Sequence, residues 1–179
     1  MLLPPNLSSM LDMAILGLLR EGPMHGYEVR QRLLGIGLWR ISFGSVYPAL
    51  RRLHRAGYLT ARSGPGRRKE YRITDAGNAH FRRIMEDEAS EVDNSTAFGV
   101  RLAFFGHLRP AKRIAFLERR KAVLEQRIAA ARRSLASPPA GSDDRYMRSL
   151  VEHSMLSAQT DLAWLDELIA LERSPEQPD

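Results

Sequence analysis

The stretch SFGSVYPALRRLHRAGYL, Ser42 to Leu59, decides the fold of this chain. Val46, Ala49, Leu50 and Leu53 recur at three- and four-residue spacing, which predicts a short helix with one apolar stripe. Ser45, Tyr47, Arg51, Arg52 and Arg55 fall largely on the opposite side. Gly57 stops the helix, and Tyr58 to Arg62 begins a strand directly behind it. Lys69 to Ile73 reads as a second strand, because Tyr71 and Ile73 alternate with Glu70 and Arg72. Ser63-Gly64-Pro65-Gly66 between them is turn chemistry. A helix followed by a basic hairpin is the order a winged helix-turn-helix needs to set one helix in a DNA groove and one loop beside it.

Working outward, Ser8 or Ser9 is the expected cap of a first helix whose apolar face is Leu11, Ile15, Leu18 and Leu19. Gly22-Pro23 ends it. A second helix is expected over Tyr27 to Leu34 with Val29 and Leu33 inward. Leu38, Trp39 and Ile41 then read as a short strand. Pro48 is awkward inside the helix already described. With Ser42 as cap it lies past the first turn, and with Ser45 as cap it lies within it, so a late start or a local distortion is expected. Thr74 caps a further helix running from Asp75 to about Ser90.

Residues 91–109 form a junction in which Phe98, Leu102 and Phe105 repeat at helical spacing. Pro110 opens a long helix. Ile114, Leu117, Leu124, Ile128, Ala131 and Leu135 keep a heptad seam along it, with Lys121 in the one missing slot, a pattern able to fix register between helices. Ser137 to Ser142 breaks the chain. A last helix from about Asp143 to Glu172 carries Met147, Val151, Met155, Ala158, Leu162, Leu165 and Ile169 on one side, widened by Trp164, Leu168 and Leu171. The expected fold is mainly α with a small β-wing. A winged helix-turn-helix DNA-binding domain (residues 1–90) leads through the junction to a helical dimerisation arm (residues 110–179).

Composition narrows the function classes. The chain has 179 residues, 44% of them apolar, enough for a packed core. It has no cysteine, which excludes disulfides, thiolate catalysis and cysteine-ligated zinc. The N-terminus lacks the pattern of a signal peptide. No apolar run approaches the roughly 20 residues of a membrane helix, so a cytoplasmic location without membrane attachment is expected. Residues 1–85 carry 14 Lys+Arg against 5 Asp+Glu, whereas residues 86–179 carry 13 against 16. The positive charge thus gathers in the half that holds the helix-turn-helix, as a polyanion binder requires. The five histidines are scattered, with no ligand spacing to one another or to a carboxylate. No nucleophile–base pair or glycine-rich phosphate loop is present, so no catalytic residue, metal or cofactor is expected.

These residues resemble the PadR family of transcriptional regulators. The resemblance rests on Gly26-Tyr27-Glu28, on Gly44 to Leu50, on Gly57-Tyr58-Leu59 and on Arg68 to Gly77, and it covers roughly residues 10–80. The C-terminal half is similar only in its two-helix layout. Phe43 stands where the family often has proline, and the turn at Ser63 to Arg67 lacks the acidic character of many relatives. The resemblance implies a homodimeric repressor that binds a double-stranded inverted-repeat operator near a promoter. Family members respond to phenolic acids, drugs or other small ligands, and some have no known ligand.

The DNA-binding residues expected on this basis are Tyr27, Ser45, Tyr47, Pro48, Arg51, Arg52, Arg55, Arg67, Arg68 and Lys69. Tyr27 fits a phosphate contact or the core equally well. Phe98, Leu102, Phe105 and Trp164 are the candidate pocket for a small apolar or aromatic effector, although core or dimer interface is the more ordinary reading of such side chains. Two long helices with wide apolar faces need further cover, and a two-fold DNA reader needs two copies. The dimer interface is therefore expected at Ile114, Leu117, Leu124, Ile128, Met155, Leu162, Leu165 and Ile169. A winged helix used for protein–protein contact is the rival reading, and an enzyme the more remote one.

Overall fold

A computed structural model describes residues 5–38, 43–63, 69–87, 95–136 and 145–174. The chain divides into two compact units, residues 1–108 and 109–179.

The first unit is built on α1 (Pro5–Glu21). This helix starts earlier than either serine cap predicts. Pro5 lacks only an N–H that the first turn would leave unbonded anyway, so it opens the helix and leaves Ser8 and Ser9 inside it. From Met10 to Leu19 nearly every side chain is buried, including Leu11, Ile15, Leu18 and Leu19. A helix apolar on all sides is a core helix, and α1 packs on α2 (Gly26–Gly35), α3 (Phe43–Arg55), α4 (Asp75–Glu86) and α5 (Ser95–Leu102). Val29 and Leu33 of α2, and Val46, Ala49, Leu50 and Leu53 of α3, supply the facing core.

Three antiparallel strands lie beside these helices in the order β1 (Met24–His25), β3 (Lys69–Ile73), β2 (Leu59–Ser63). Tyr71 sits opposite Met24 on one side and Ala61 on the other. The strand β1 was not expected: two residues between Gly22-Pro23 and Gly26 are too few to show a period. The strand predicted at Leu38 to Ile41 differs too. Leu38 is buried outside any strand, and Trp39 and Ile41 lie outside the described residues.

The helix α3 begins at Phe43 and continues through Pro48, so the late start with Ser45 as cap does not occur, and Ser42 lies outside the described residues. Proline at the sixth helical position withholds one hydrogen bond from the carbonyl of Gly44, and the exposed first turns absorb that loss. At the other end, Gly57 takes φ 77°. Its N–H reaches the His54 carbonyl at 3.0 Å, and the Tyr58 N–H reaches the Leu53 carbonyl at 3.0 Å, a Schellman stop that glycine alone adopts without strain. The Thr74 hydroxyl then donates to the Gly57 carbonyl (2.8 Å) and accepts from the Gly77 N–H (3.0 Å). One side chain thereby caps α4 and ties it to the end of α3. The helix α4 ends at Glu86, earlier than expected, and Arg101 of α5 donates to the Met85 carbonyl there at 2.8 Å. The junction residues of α5 and the 3-10 turn Phe105–His107 belong to the first unit.

The second unit is a helical hairpin of α6 (Pro110–Ala136) and α7 (Arg145–Arg173). Ion pairs fix it as antiparallel: Arg113 with Glu172 at 3.0 Å, Lys121 with Asp166 at 2.6 Å, and Arg173 with Glu118. The charged interruption of the seam, Lys121, therefore meets a carboxylate of its own chain. The pairing raises its pKa, chiefly through the Asp166 hydrogen bond. Five of the eight residues expected between two copies (Leu117, Leu124, Ile128, Leu165 and Ile169) are buried within the chain itself. Ile114, Met155 and Leu162 are half-buried. The apolar side chains left exposed are others: Tyr146, Met147, Leu150, Leu156, Trp164 and Leu171.

Candidate nucleic-acid interface

The site begins with the chemistry of one glycine. A Cβ on Gly26 would stand 2.7 Å from the Tyr47 ring. Its absence lets α3 lay Tyr47 across the start of α2. Behind that contact, His25 enters β1 and brings the wing close, its Nδ1 lying 3.2 Å from the Lys69 carbonyl oxygen. The His25 N–H donates to the Glu28 carboxylate at 2.7 Å, closing the first turn of α2. A concave site of ≈ 750 Å³ results, lined by His25, Gly26, Tyr27, Glu28, Tyr47, Arg51, Lys69 and Tyr71.

Three elements thus deliver Tyr27, Tyr47, Arg51 and Lys69, all named from sequence, to one concavity. Tyr27 is 55% exposed, and its hydroxyl accepts from Gln31 Nε2 at 2.8 Å. That exposure separates its two readings, since the ring is not part of the core. Tyr71 is its buried counterpart. Burial raises the Tyr71 phenol above its ordinary pKa, the neighbouring Tyr47 adds to this, and Arg51 partly offsets it. Tyr71 therefore stays protonated at neutral pH and keeps a hydroxyl able to donate.

Along α3, Gly44, Pro48, Arg51 and Arg55 form the exposed outward row at i, i+4, i+7 and i+11. Among the described residues, Arg51 and Arg55 make no ion pair. Ser45 and Arg52, seven residues apart, lie on the flank instead. Arg52 is engaged there by Asp12 of α1, through Nη2 to Oδ1 and through Nε to Oδ2 at 3.4 Å. Burial raises the Asp12 pKa, and the hydrogen bond and charge of Arg52 lower it only in part. Arg67 and Arg68 lie outside the described residues.

The candidate effector residues do not all share one environment. Phe98 and Phe105 are buried and meet edge to face, with centroids 6.5 Å apart. Leu102 is half-buried, and Trp164 is exposed. In the second unit, a separate cavity of ≈ 230 Å³ is lined by Glu125, Ile128, Ala129, Arg132, Gln159 and Leu162. Among the described residues, no group of three His, Asp or Glu is placed to hold a metal ion, and no helix is long and apolar enough to cross a membrane.

The sequence did not point to His25, Tyr71 or Asp12. Tyr71 was legible only as an inward residue of its strand. His25 precedes a glycine with no periodic signal, and Asp12 lies 40 residues from the arginine it holds.

Two family models match the chain. Residues 15–83 match the transcriptional regulator PadR-like family, and residues 96–172 match the virulence activator alpha C-term family. No curated protein sequence matches. Among solved structures, a Bacillus subtilis PadR bound to operator DNA is 20% identical, with a TM-score of 0.43, over 94% of this chain and 99% of that one. A Clostridium thermocellum transcriptional regulator is 34% identical over 42% of this chain and 78% of its own, with a TM-score of 0.39. A PadR-like regulator of Bacillus cereus is 20% identical over 90% of this chain and 97% of its own, with a TM-score of 0.40.

Proposed function

This chain belongs to the PadR-like family of transcriptional regulators, and from that premise we propose that it is a homodimeric repressor of an inverted-repeat operator. Regulators of this family are DNA-binding transcription factors and not enzymes. In the proposed complex, each copy lays α3 in the major groove of one half-site and sets the β2–β3 wing over the adjoining backbone.

The observation that carries the reading is the gathering of Tyr27, Tyr47, Arg51 and Lys69 around one concave, cationic face. Arg51 and Arg55, without an ion pair among the described residues, have guanidinium forks suited to phosphate or to the O6 and N7 of guanine. Tyr27, Tyr47 and Lys69 would position the backbone, which fixes register without reading sequence. Arg67 and Arg68 join this assignment on their sequence position alone.

Dimerisation through the second unit is supported by the apolar side chains that α7 leaves exposed. A small apolar or aromatic effector would release DNA by binding more tightly to a dimer whose recognition helices have the wrong spacing. Trp164, exposed on α7, gives a fluorescence signal for such binding. Work in the cytoplasm follows from a DNA operator as partner.

The deciding experiment titrates the full chain against the duplex upstream of its own gene and against a scrambled duplex, at two salt concentrations. A preference for the native duplex, with affinity falling steeply as salt rises, is expected. Equal affinity for both duplexes would replace the operator reading with that of a winged helix used for protein contact.

A further inference from the structure

We propose that Arg52 is a positioning residue: Asp12 holds its guanidinium so that α3 presents Tyr47 and Arg51 at one fixed rotation, and Arg52 itself leaves the nucleic acid untouched. The inference rests on α3 being the DNA-reading helix.

Two guanidinium nitrogens of Arg52 face the two carboxylate oxygens of Asp12. This fork-to-fork geometry is directional as well as attractive. Asp12 comes from α1, the core helix of the unit, between buried Leu11 and Met13. Its side chain is only 15% exposed, against 44% for Arg52. The anchor is therefore the fixed partner and the recognition helix the one being aimed.

The aliphatic stripe of α3, with Val46, Ala49, Leu50 and Leu53 enclosed, sets which face of the helix is inward. Successive residues stand about 100° apart around a helix, as 3.6 residues per turn require. A turn of a small part of that angle keeps the stripe inward yet moves the long side chains of Tyr47 and Arg51 sideways. The directional fork at Arg52 resists such turns.

Energetics agree. Burial raises the Asp12 carboxyl pKa despite the arginine beside it, so ionising this carboxylate is a cost that Arg52 only partly offsets. An ion pair with one largely buried and one half-exposed partner adds little net stability. Asp12 also brings negative charge next to a face meant for phosphate. Had Arg52 been a phosphate contact, losing Asp12 would free it and tighten binding.

The test compares the wild-type chain with D12N, R52Q and R52K by anisotropy on the native upstream duplex and on a scrambled one. D12N and R52K are expected to lose discrimination between the duplexes by about tenfold, with the salt dependence unchanged. R52K keeps the charge and discards the fork. Tighter binding by D12N to both duplexes would overturn the proposal. So would wild-type behaviour of R52K alongside a weakened R52Q whose salt slope falls by about one. Thermal unfolding of D12N, R52Q and the double variant reads the pair without DNA. Non-additive shifts support it as the contact that docks α3, and additive shifts overturn it. A wild-type chain that shows no preference between duplexes sinks the operator reading itself, a result distinct from either melting outcome.

Discussion

The two units spend their apolar side chains differently. In the first, α1 is covered all round and the stripe of α3 is fully enclosed, so the fold closes on itself. In the second, α7 buries Ala158, Leu165 and Ile169 yet leaves Tyr146 72% and Leu171 70% exposed. Tyr146, Leu150, Trp164 and Leu171 fall near one row of the helix, at steps of four, fourteen and seven residues. A closed unit can carry a binding face by itself. A helix that leaves large apolar groups exposed is what supports the proposed assembly through the second unit.

The largest test of that contrast is in the core. Leu53→Ala should destabilise the first unit by about 2–5 kcal/mol, because Leu53 is enclosed and the cavity cannot refill. Leu156→Ala, on exposed α7, should leave the melting of a dilute sample near that of wild type. Equal losses from the two would erase the distinction between a closed and an open unit. Next, Tyr47→Ala with Arg51→Ala should weaken binding to the upstream duplex by about a hundredfold, taking on the order of 1–3 kcal/mol for each lost contact. Sedimentation should stay unchanged, while melting falls slightly because the Tyr47 ring packs on the start of α2. Unchanged gel-shift affinity would remove the reading role from the first unit.

A smaller effect is expected from Tyr146→Ala, Leu150→Ala and Trp164→Ala combined. Sedimentation should move from dimer toward monomer while helix content holds. A dimer that persists would shift the contact to another face. The smallest effect is a pH trend. Burial lowers the His80 pKa below its ordinary value, and Arg83, whose Nη2 lies 2.8 Å from His80 Nδ1, adds to this. A histidine with a depressed folded pKa stabilises above its unfolded value near 6.5, and that stability is lost as pH falls from there toward the folded pKa. The melting temperature of the first unit should therefore drop between pH 7 and pH 5, and His80→Gln should flatten the trend.

Much of the first unit was legible because its signals are local. The four-residue stripe of α3, the Gly57 stop, the alternation around Tyr71 and the Thr74 cap each depend on neighbours within one or two turns. The concave site was legible in part: its cations and two of its tyrosines stand in the quoted stretch or beside it. What sequence could not show depends on distant partners. Arg51 and Arg52 are adjacent and chemically identical, and only Asp12, brought in by α1, tells them apart. The seam of α6 has the same ambiguity. Its spacing announces a partner helix, and the partner is α7 of the same chain, with Asp166 accepting Lys121. Both sides of α7 are rich in apolar residues, so periodicity could not say which side the hairpin would use.

The Thr74 hydroxyl, bonded at once to the end of α3 and the start of α4, has a practical corollary. Together with the paired register of Leu59 to Ser63 against Lys69 to Ile73, it pins both feet of the hairpin to the helices on either side. A substitution at Thr74 would therefore act as a joint failure, loosening the stop of α3 and the start of α4 in one stroke.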